Sequence, residues 1–597
     1  MKKRVLSFIC AAVLFCSVFP PSRAEEGENI PPELPVSTEA PAGNGEVGTP
    51  ESSASAEAED TSVKTVVQVG LYYGSNAMDG ANLENNVGTG YRLGYMDENR
   101  IFQPLGYTEE SMVSVIKNEN VWYGTYEDYT CYFDNITSDI MIGCWYVQIP
   151  AEVSSFEDVV AFINGAEGYF PAWINGEWQV RYGSYPDQAT AAAAAEALGG
   201  TAVNTSGYGV SVVRRGTARI LFQFDGGDSL SLAVNPGLDD SKKAVTWLKG
   251  NRYYGIFQYR RVKQGGNLTI SNFLPLDDYA ECVISREMSA SWPIEALKAQ
   301  AVCARNYYEQ KVADHRHRSQ GFDICNTTCC QVYFGMASTS ERTAQAVAET
   351  SDLWIWYEGE HAEIYYYSSN GGATEACKNV WVEDRPYLVG QIDPYESTVA
   401  DQIYHYNWTV TYTAQEIEER LRSKGYTCGT IVDYQITART DVGNVRSIVF
   451  IDANGKSWPF YKDDARTILG LRSLRYRVTS STGEGTSSYV VSGGDVLPSA
   501  VGAYVIDGDG NVTQVFENAY VITASGVEQL HTSEPTGMPS PDGDLVFTIQ
   551  GTGTGHHVGM SQWGAYAMAQ QGMTYEDILT FYFPGVEIYA ESRTEQQ

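Results

Sequence analysis

The sequence predicts an α+β fold made of several regions. Three observations carry this. The chain has 597 residues, beyond one ordinary domain, so roughly two to four are expected. It is rich in β-compatible aromatics, with 41 Tyr and 12 Trp. From Thr65 onward, short alternating runs such as TVVQVGLYYG are interspersed with helical patterns.

The elements follow in chain order. Met1–Ala24 reads as a secretory signal: Lys2, Lys3 and Arg4, an apolar run Val5–Phe19, then Ser22 and Ala24 as small residues before a cut after Ala24. Bulky Phe15 before Cys16 argues against a lipoprotein; an uncleaved signal anchor is the alternative. No other run is long and apolar enough to span a bilayer. Residues 25–64 form an acidic linker rich in Glu, Pro, Ser, Ala and Gly, with no Lys or Arg before Lys64. The chain is thus expected to be secreted or extracytoplasmic.

Residues 65–265 read as a β-rich α+β accessory region. Within it, Trp178–Val213 gives strand, turn, helix, turn, strand. This stretch resembles a SPOR repeat, a glycan-binding module; a generic βαβ-like unit without a ligand fits the same pattern. Residues 271–590 form the core, with YYYSSNGGAT entering a Gly-Gly turn. A Gly/Ser-rich, strand-containing lobe is inserted near 481–544.

The net charge of −34 argues against nucleic acid and against attachment to anionic lipids, both of which need Lys and Arg. Nine cysteines follow the signal. Cys131 with Cys144, and Cys377 with Cys428, are candidate bridges outside the cytoplasm. The odd count leaves one thiol free or metal-bound.

Leu276–Met288 reads as a helix with Asp277 or Asp278 near its start, where a carboxylate caps and meets the dipole. Tyr279, Val283 and Glu287 lie on one stripe. A carboxylate at the edge of an apolar face is desolvated, which suits a general acid near neutral pH; a surface glutamate near a helix end is the bland alternative. Pro293 starts a second helix whose apolar face is Ile294, Leu297, Ala301, Ala304 and Tyr308. Lys298 and Arg305 flank that face. Either is placed to orient Glu287 or hold a substrate carboxylate, or both are solvated cations.

His317, Cys325 and Cys330 follow at spacings of eight and five, with Cys329 and His315 as further candidates. Three such ligands suit zinc and leave one position open; a disulfide or inert buried thiols compete. Near the C-terminus, GTGTGHHVGMSQWGAYAMAQQG holds His556 and His557 and a helix from about Ser561, which can cap it. A GKS/T phosphate loop, a GxSxG elbow and an HExxH helix are absent.

Asp277–Tyr307, the DICNTTCCQVY segment, Tyr366–Thr374 and Gly551–Ala565 together resemble the signatures of the SpoIID/LytB family of bacterial peptidoglycan-acting proteins. Departures are few: Cys329 stands where a His is usual, His557 replaces a Gly and Trp563 replaces a Tyr. The resemblance implies Glu287 as catalytic acid, Arg305 and Tyr366 as active-site residues, and His317, Cys325 and Cys330 as ligands of a structural zinc. It also implies a function in cell-wall remodelling on peptidoglycan glycan strands. One branch is a lytic transglycosylase that leaves 1,6-anhydro-MurNAc ends, in a sporulation-linked setting. The other is a non-catalytic enhancer of an N-acetylmuramoyl-L-alanine amidase.

Overall fold

The computed structural model describes residues 65–590, apart from 88, 240–242, 382 and most of 481–544, where only strand pieces such as Tyr520–Thr523 with Gly526–Gln529 are placed. The expected signal, acidic linker and most of the inserted lobe lie outside the described residues. Among the described residues no helix is long and apolar enough to cross a membrane.

The architecture is mixed α and β, with two large sheets. Val66–Tyr72 (VVQVGLY) lies inside a seven-stranded sheet and its central residues are all buried, as expected of a strand covered on both faces. The second sheet has ten strands. At one end it contains a complete βαββαβ unit, of which the expected strand–helix–strand at Trp178–Val213 covers the second half. The order along the chain is Trp145–Ile149, helix α1 (Phe156–Ile163), Tyr169–Ile174, Glu177–Tyr185, helix α2 (Gln188–Leu198) and Thr201–Asn204. In the sheet the first and third strands are central and all neighbours antiparallel, the split-βαβ arrangement. Ser155 and Asp187 cap the two helices, accepting from the N–H groups of Asp158 and Thr190.

One face of this unit carries the helices. On the other, Tyr146 and Phe170 join a cluster with Val121, Cys131, Tyr132 and Ile142. The small sheet formed by Val121–Tyr126, Tyr129–Phe133 and Met141–Ile142 therefore covers part of the face opposite the helices.

The boundary expected between 265 and 271 falls within a continuous structure. Leu268–Pro275 pairs with Val66–Tyr72 on one side and Ile256–Arg261 on the other. It then runs directly into helix α3 (Leu276–Glu287), whose Leu276 N–H bonds the Thr65 carbonyl at 2.9 Å. One hydrophobic cluster extends from Val67 through α3 and helix α4 (Ile294–Ala313) to Val586. The strands before residue 265 are thus part of the wall against which the site-bearing helices pack.

Toward the C-terminus, Asn407–Thr413 and Tyr476–Ser480 flank Leu545–Thr552 in one sheet. The central strand of the three delivers the chain to the glycine-rich motif. The nine cysteines among the described residues are all thiols, so neither candidate bridge forms. Cys131 sulfur lies 3.3 Å from Asn82 Oδ1 instead, and Cys428 points at the Glu418 carbonyl.

Removal of Thr65–Gly265 is predicted to unfold the remainder, because Leu268–Pro275 loses both sheet neighbours and the shared core is opened. Circular dichroism and limited proteolysis of the truncated chain check this; a cooperative thermal transition near that of the full chain would show the regions to be independent.

Candidate active site

Helix α3 places Glu287 at its last turn, and Met288 ends the helix by taking extended backbone (φ −130°, ψ 147°). The stripe legible in the sequence is real: Tyr279 and Val283 are fully buried, and Glu287, next along it, is half-buried. Asp277 and Asp278 occupy the first turn without capping it; Pro275 is the N-cap and gives no side-chain bond. The second helix starts at Ile294, with Pro293 as its cap.

The Glu287 carboxyl is held from a distant segment of the chain. Gln562 Nε2 donates to Glu287 Oε2 at 2.9 Å. Tyr307 of α4 and Tyr366 both feel the Glu287 charge, and their rings lie 5.6 Å apart. Burial raises the Glu287 pKa, opposed by the Gln562 hydrogen bond and the Arg286 charge.

Tyr366 ends a polar relay. Tyr279 Oη donates to Gln331 Oε1 at 2.6 Å, and Gln331 Nε2 donates to Tyr366 Oη at 3.0 Å. The Tyr366 oxygen is thus an acceptor for Gln331, which leaves its own proton free to donate. Burial, reinforced by Glu287, holds its pKa well above the usual phenol value, so the hydroxyl stays neutral.

Two segments almost two hundred residues apart build this site. Tyr366–Tyr367 pairs in parallel with Met560–Ser561. Ser561 then caps the Gln562–Gln570 helix, accepting from the Gly564 N–H. Beneath the pair lies Glu396, fully buried, which accepts from Ser369 Oγ, Ser561 Oγ and the N–H groups of Asn370 and Gly371. Burial lifts its pKa to about 6 despite these donors. Asp393 accepts beside it from Asn370 Nδ2 and Tyr582 Oη.

His557 has φ +65°, in the left-handed region that favours glycine. This accounts physically for a position where a Gly is usual. The ring is fully buried and burial drives its pKa well below the normal value; His556 is lowered to about 4 for the same reason. Both rings are neutral at pH 7.

Arg305, expected at the active site, is placed elsewhere. It is 1% exposed and its guanidinium donates to Asp277 Oδ1, Thr350 Oγ1 and the Val347 carbonyl. Asp277 is ten residues before Glu287, about 15 Å along α3, so these bonds fix the opposite end of the helix. Lys298 pairs with Glu295 and Glu349 and is likewise engaged away from Glu287. Gln562, Gln331 and Tyr307 were not singled out from the sequence as site residues. Gln331 and Gln562 stand in the CQVY and GMSQWGA segments, but a lone Gln carries no charge pattern.

His317, Cys325, Cys329 and Cys330 converge, with ligand atoms all within 4.8 Å of one another. Cys329, a spare candidate in the sequence, is a full member. Its sulfur is 3.8 Å from His317 Nε2 and 3.3 Å from Arg316 Nη1. His317 Nδ1 faces Gln320 Oε1 at 3.3 Å, which leaves Nε2 toward the sulfurs. Cys325 is held toward the thiolate chiefly by the hydrogen bond from Cys330, which is raised correspondingly. His315 has no place in the group. The loop docks on the first sheet through Ile324–Cys325, which pairs with Val69–Gly70. A Cβ at Gly70 would stand 2.4 Å from the Phe322 ring, and Phe322 stacks on His317; glycine is required for that approach.

Arg305→Met is predicted to lower the unfolding free energy by about 3 kcal/mol, the scale for breaking a buried ion pair from one side. Denaturant titration checks this, and unchanged stability would remove Arg305 from the framework.

Residues 264–357 match the family model described as Stage II sporulation protein. The chain is 28% identical over 373 residues to a Bacillus subtilis amidase enhancer, covering 60% of this chain and 47% of that protein, about half its length. It is 26% identical over 340 residues to the Stage II sporulation protein D of the same organism, covering 55% of this chain and 78% of that protein. The matched segment contains α3, α4 and the His/Cys loop, and with this ordering of motifs the chain belongs to the SpoIID/LytB family.

Proposed function

We propose that this protein is a peptidoglycan lytic transglycosylase acting on glycan strands free of stem peptides, with Glu287 as its single acid and base. The observation that carries this reading is one desolvated carboxyl hydrogen-bonded by the neutral amide of Gln562, with no second carboxylate bonded to it among the described residues. Hydrolytic glycosidases use two carboxyl groups; an intramolecular displacement needs one. Protonated Glu287 gives its proton to the glycosidic oxygen, and the C1–O bond breaks with its electron pair going to the leaving sugar. The resulting carboxylate then takes the proton of the MurNAc C6 hydroxyl as that oxygen bonds C1, which closes the 1,6-anhydro ring and restores the acid. Tyr366, neutral and with a free proton, is placed to donate to substrate.

His317, Cys325, Cys329 and Cys330 fit a zinc ion. Tetrahedral Zn–S bonds of about 2.3 Å put sulfurs about 3.8 Å apart, and the donor atoms here are already close to that spacing. The four would close the coordination sphere, so the metal's contribution is structural: it ties the loop after α4 to the first sheet. The amidase-enhancer reading is favoured by one observation, the similarity to the B. subtilis enhancer. In that case the glycan is bound and not cut, and an amidase is the partner.

Glu287→Gln is predicted to abolish cleavage, by about 10²- to 10⁴-fold or more, with folding and glycan binding retained. Mass spectrometry of denuded strands for anhydro-MurNAc ends measures it. No anhydro ends with wild-type protein that binds strands would favour the enhancer reading.

The pH profile has a definite sign. The acid must be protonated, so kcat/KM falls as pH rises through the raised Glu287 pKa. Gln562→Leu removes a bond that favours the carboxylate, so this alkaline limb should move to higher pH. A shift to lower pH would contradict the assignment.

Elemental analysis of protein purified without added metal should find one zinc per chain, and Cys329→Ser should lower its retention against a chelator. Full retention by that variant would leave only three ligands.

A further inference from the structure

One group of aromatic residues gathers next to Gln562, the hydrogen-bond donor to Glu287. Trp292, Trp563 and Tyr566 are all partly exposed. Their ring centroids lie 4.6 Å (Trp292–Trp563), 4.9 Å (Trp292–Tyr566) and 5.3 Å (Trp563–Tyr566) apart. They come from two separate segments, the turn between α3 and α4 and the first turns of the Gln562–Gln570 helix. Tyr566 Oη is fixed by Gln402 Oε1 at 3.1 Å, and the Trp563 and Tyr566 rings rest on the small core of Val399, Ile403 and Ala567. The cluster is therefore rigid beneath and open above.

Its position is tied to the carboxyl by a short chain of contacts. Glu287 bonds Gln562, Gln562 is followed by Trp563, and Trp563 touches Trp292. The Trp292 cluster thus lies next to the residue that hydrogen-bonds the Glu287 carboxyl.

We infer that Trp292, Trp563 and Tyr566 form a sugar-binding subsite that holds a ring of the glycan strand away from the bond that is cut, and so make the site select longer strands. This rests on the reading of Glu287 as a glycan-acting residue. The chemistry suits the ligand: pyranose C–H faces pack on aromatic rings, which needs no positive charge and is compatible with a strongly acidic protein. A fixed platform also loses little side-chain entropy on binding.

The test is binding, measured in the Glu287→Gln background so that turnover plays no part. Denuded MurNAc–GlcNAc oligosaccharides of increasing length are titrated by calorimetry. Affinity should rise with length, and Trp563→Ala or Trp292→Ala should raise Kd for the long strands by about tenfold or more, with much less effect on the disaccharide. Trp563→Tyr, which keeps a platform, should restore most of the affinity. Folded variants with unchanged Kd at every length overturn the inference. If the alanine variants do not fold, hydrogen exchange of the parent protein decides: protection at 292 and 563–566 on adding long strands supports the subsite, and its absence there overturns it. The two readings fail separately. Length-dependent, Trp-dependent binding without anhydro ends from wild-type protein would sink the catalytic reading alone, whereas wild-type cleavage with Trp-independent affinity would sink the subsite alone.

Discussion

The buried carboxylate of Glu396 is the constraint on which the site depends. A carboxylate taken out of water is costly unless its lone pairs are satisfied. Here four donors meet it, two from the Ser369–Gly371 backbone and two from the serines Ser369 and Ser561. Those donors belong to the two segments that must lie side by side for Tyr366 and Gln562 to reach Glu287. Any slip of the Tyr366–Tyr367/Met560–Ser561 pair would strand a charge in the core. The polar network therefore specifies register, which hydrophobic packing alone does weakly. Asp393, bonded to Asn370 and Tyr582, repeats the device one layer away.

How much of this was legible in the sequence varies with the range of the interaction. Helices α3 and α4, the stripe through Glu287 and the Ser561 cap are local, and periodicity or a single hydroxyl reveals them. The convergence of His317, Cys325 and Cys330 was also readable, because the ligands share one short loop. Arg305 misled because a cation on a helix face has no direction in sequence; its partner Asp277 lies in the preceding helix and faces the far end. The boundary near 265 misled for a similar reason. Composition changes there, yet Leu268–Pro275 is a sheet strand whose neighbours come from both sides of the boundary. The βαββαβ unit was half seen because its first strand and helix, Trp145–Ile149 and α1, lack the alanine-rich signal of α2.

Two departures from the family pattern have different physical standing. Cys329 replaces one metal-ligand type by another and keeps its sulfur within reach of His317, so the donor set stays coherent. His557 replaces glycine at a left-handed position and buries its ring completely. It is the costlier change, since backbone strain and polar desolvation both act against it. The tilted Tyr367 ring, 5.4 Å away, supplies packing in return.

The arrangement around Glu287 also bears on the choice between cutting and binding. A binding protein has no use for a carboxyl desolvated at the end of a helix, because the same recognition is available from neutral groups without the burial cost. An acid catalyst does, since desolvation keeps the proton on at a pH where an exposed glutamate would have lost it. The Gln562 bond works in the other direction by favouring the carboxylate. Opposed influences of this kind hold a group near the point where it can both give and recover a proton, which is what a one-carboxyl displacement demands. The Trp292 cluster serves either function, and so it is the electrostatics of Glu287 that argues for chemistry.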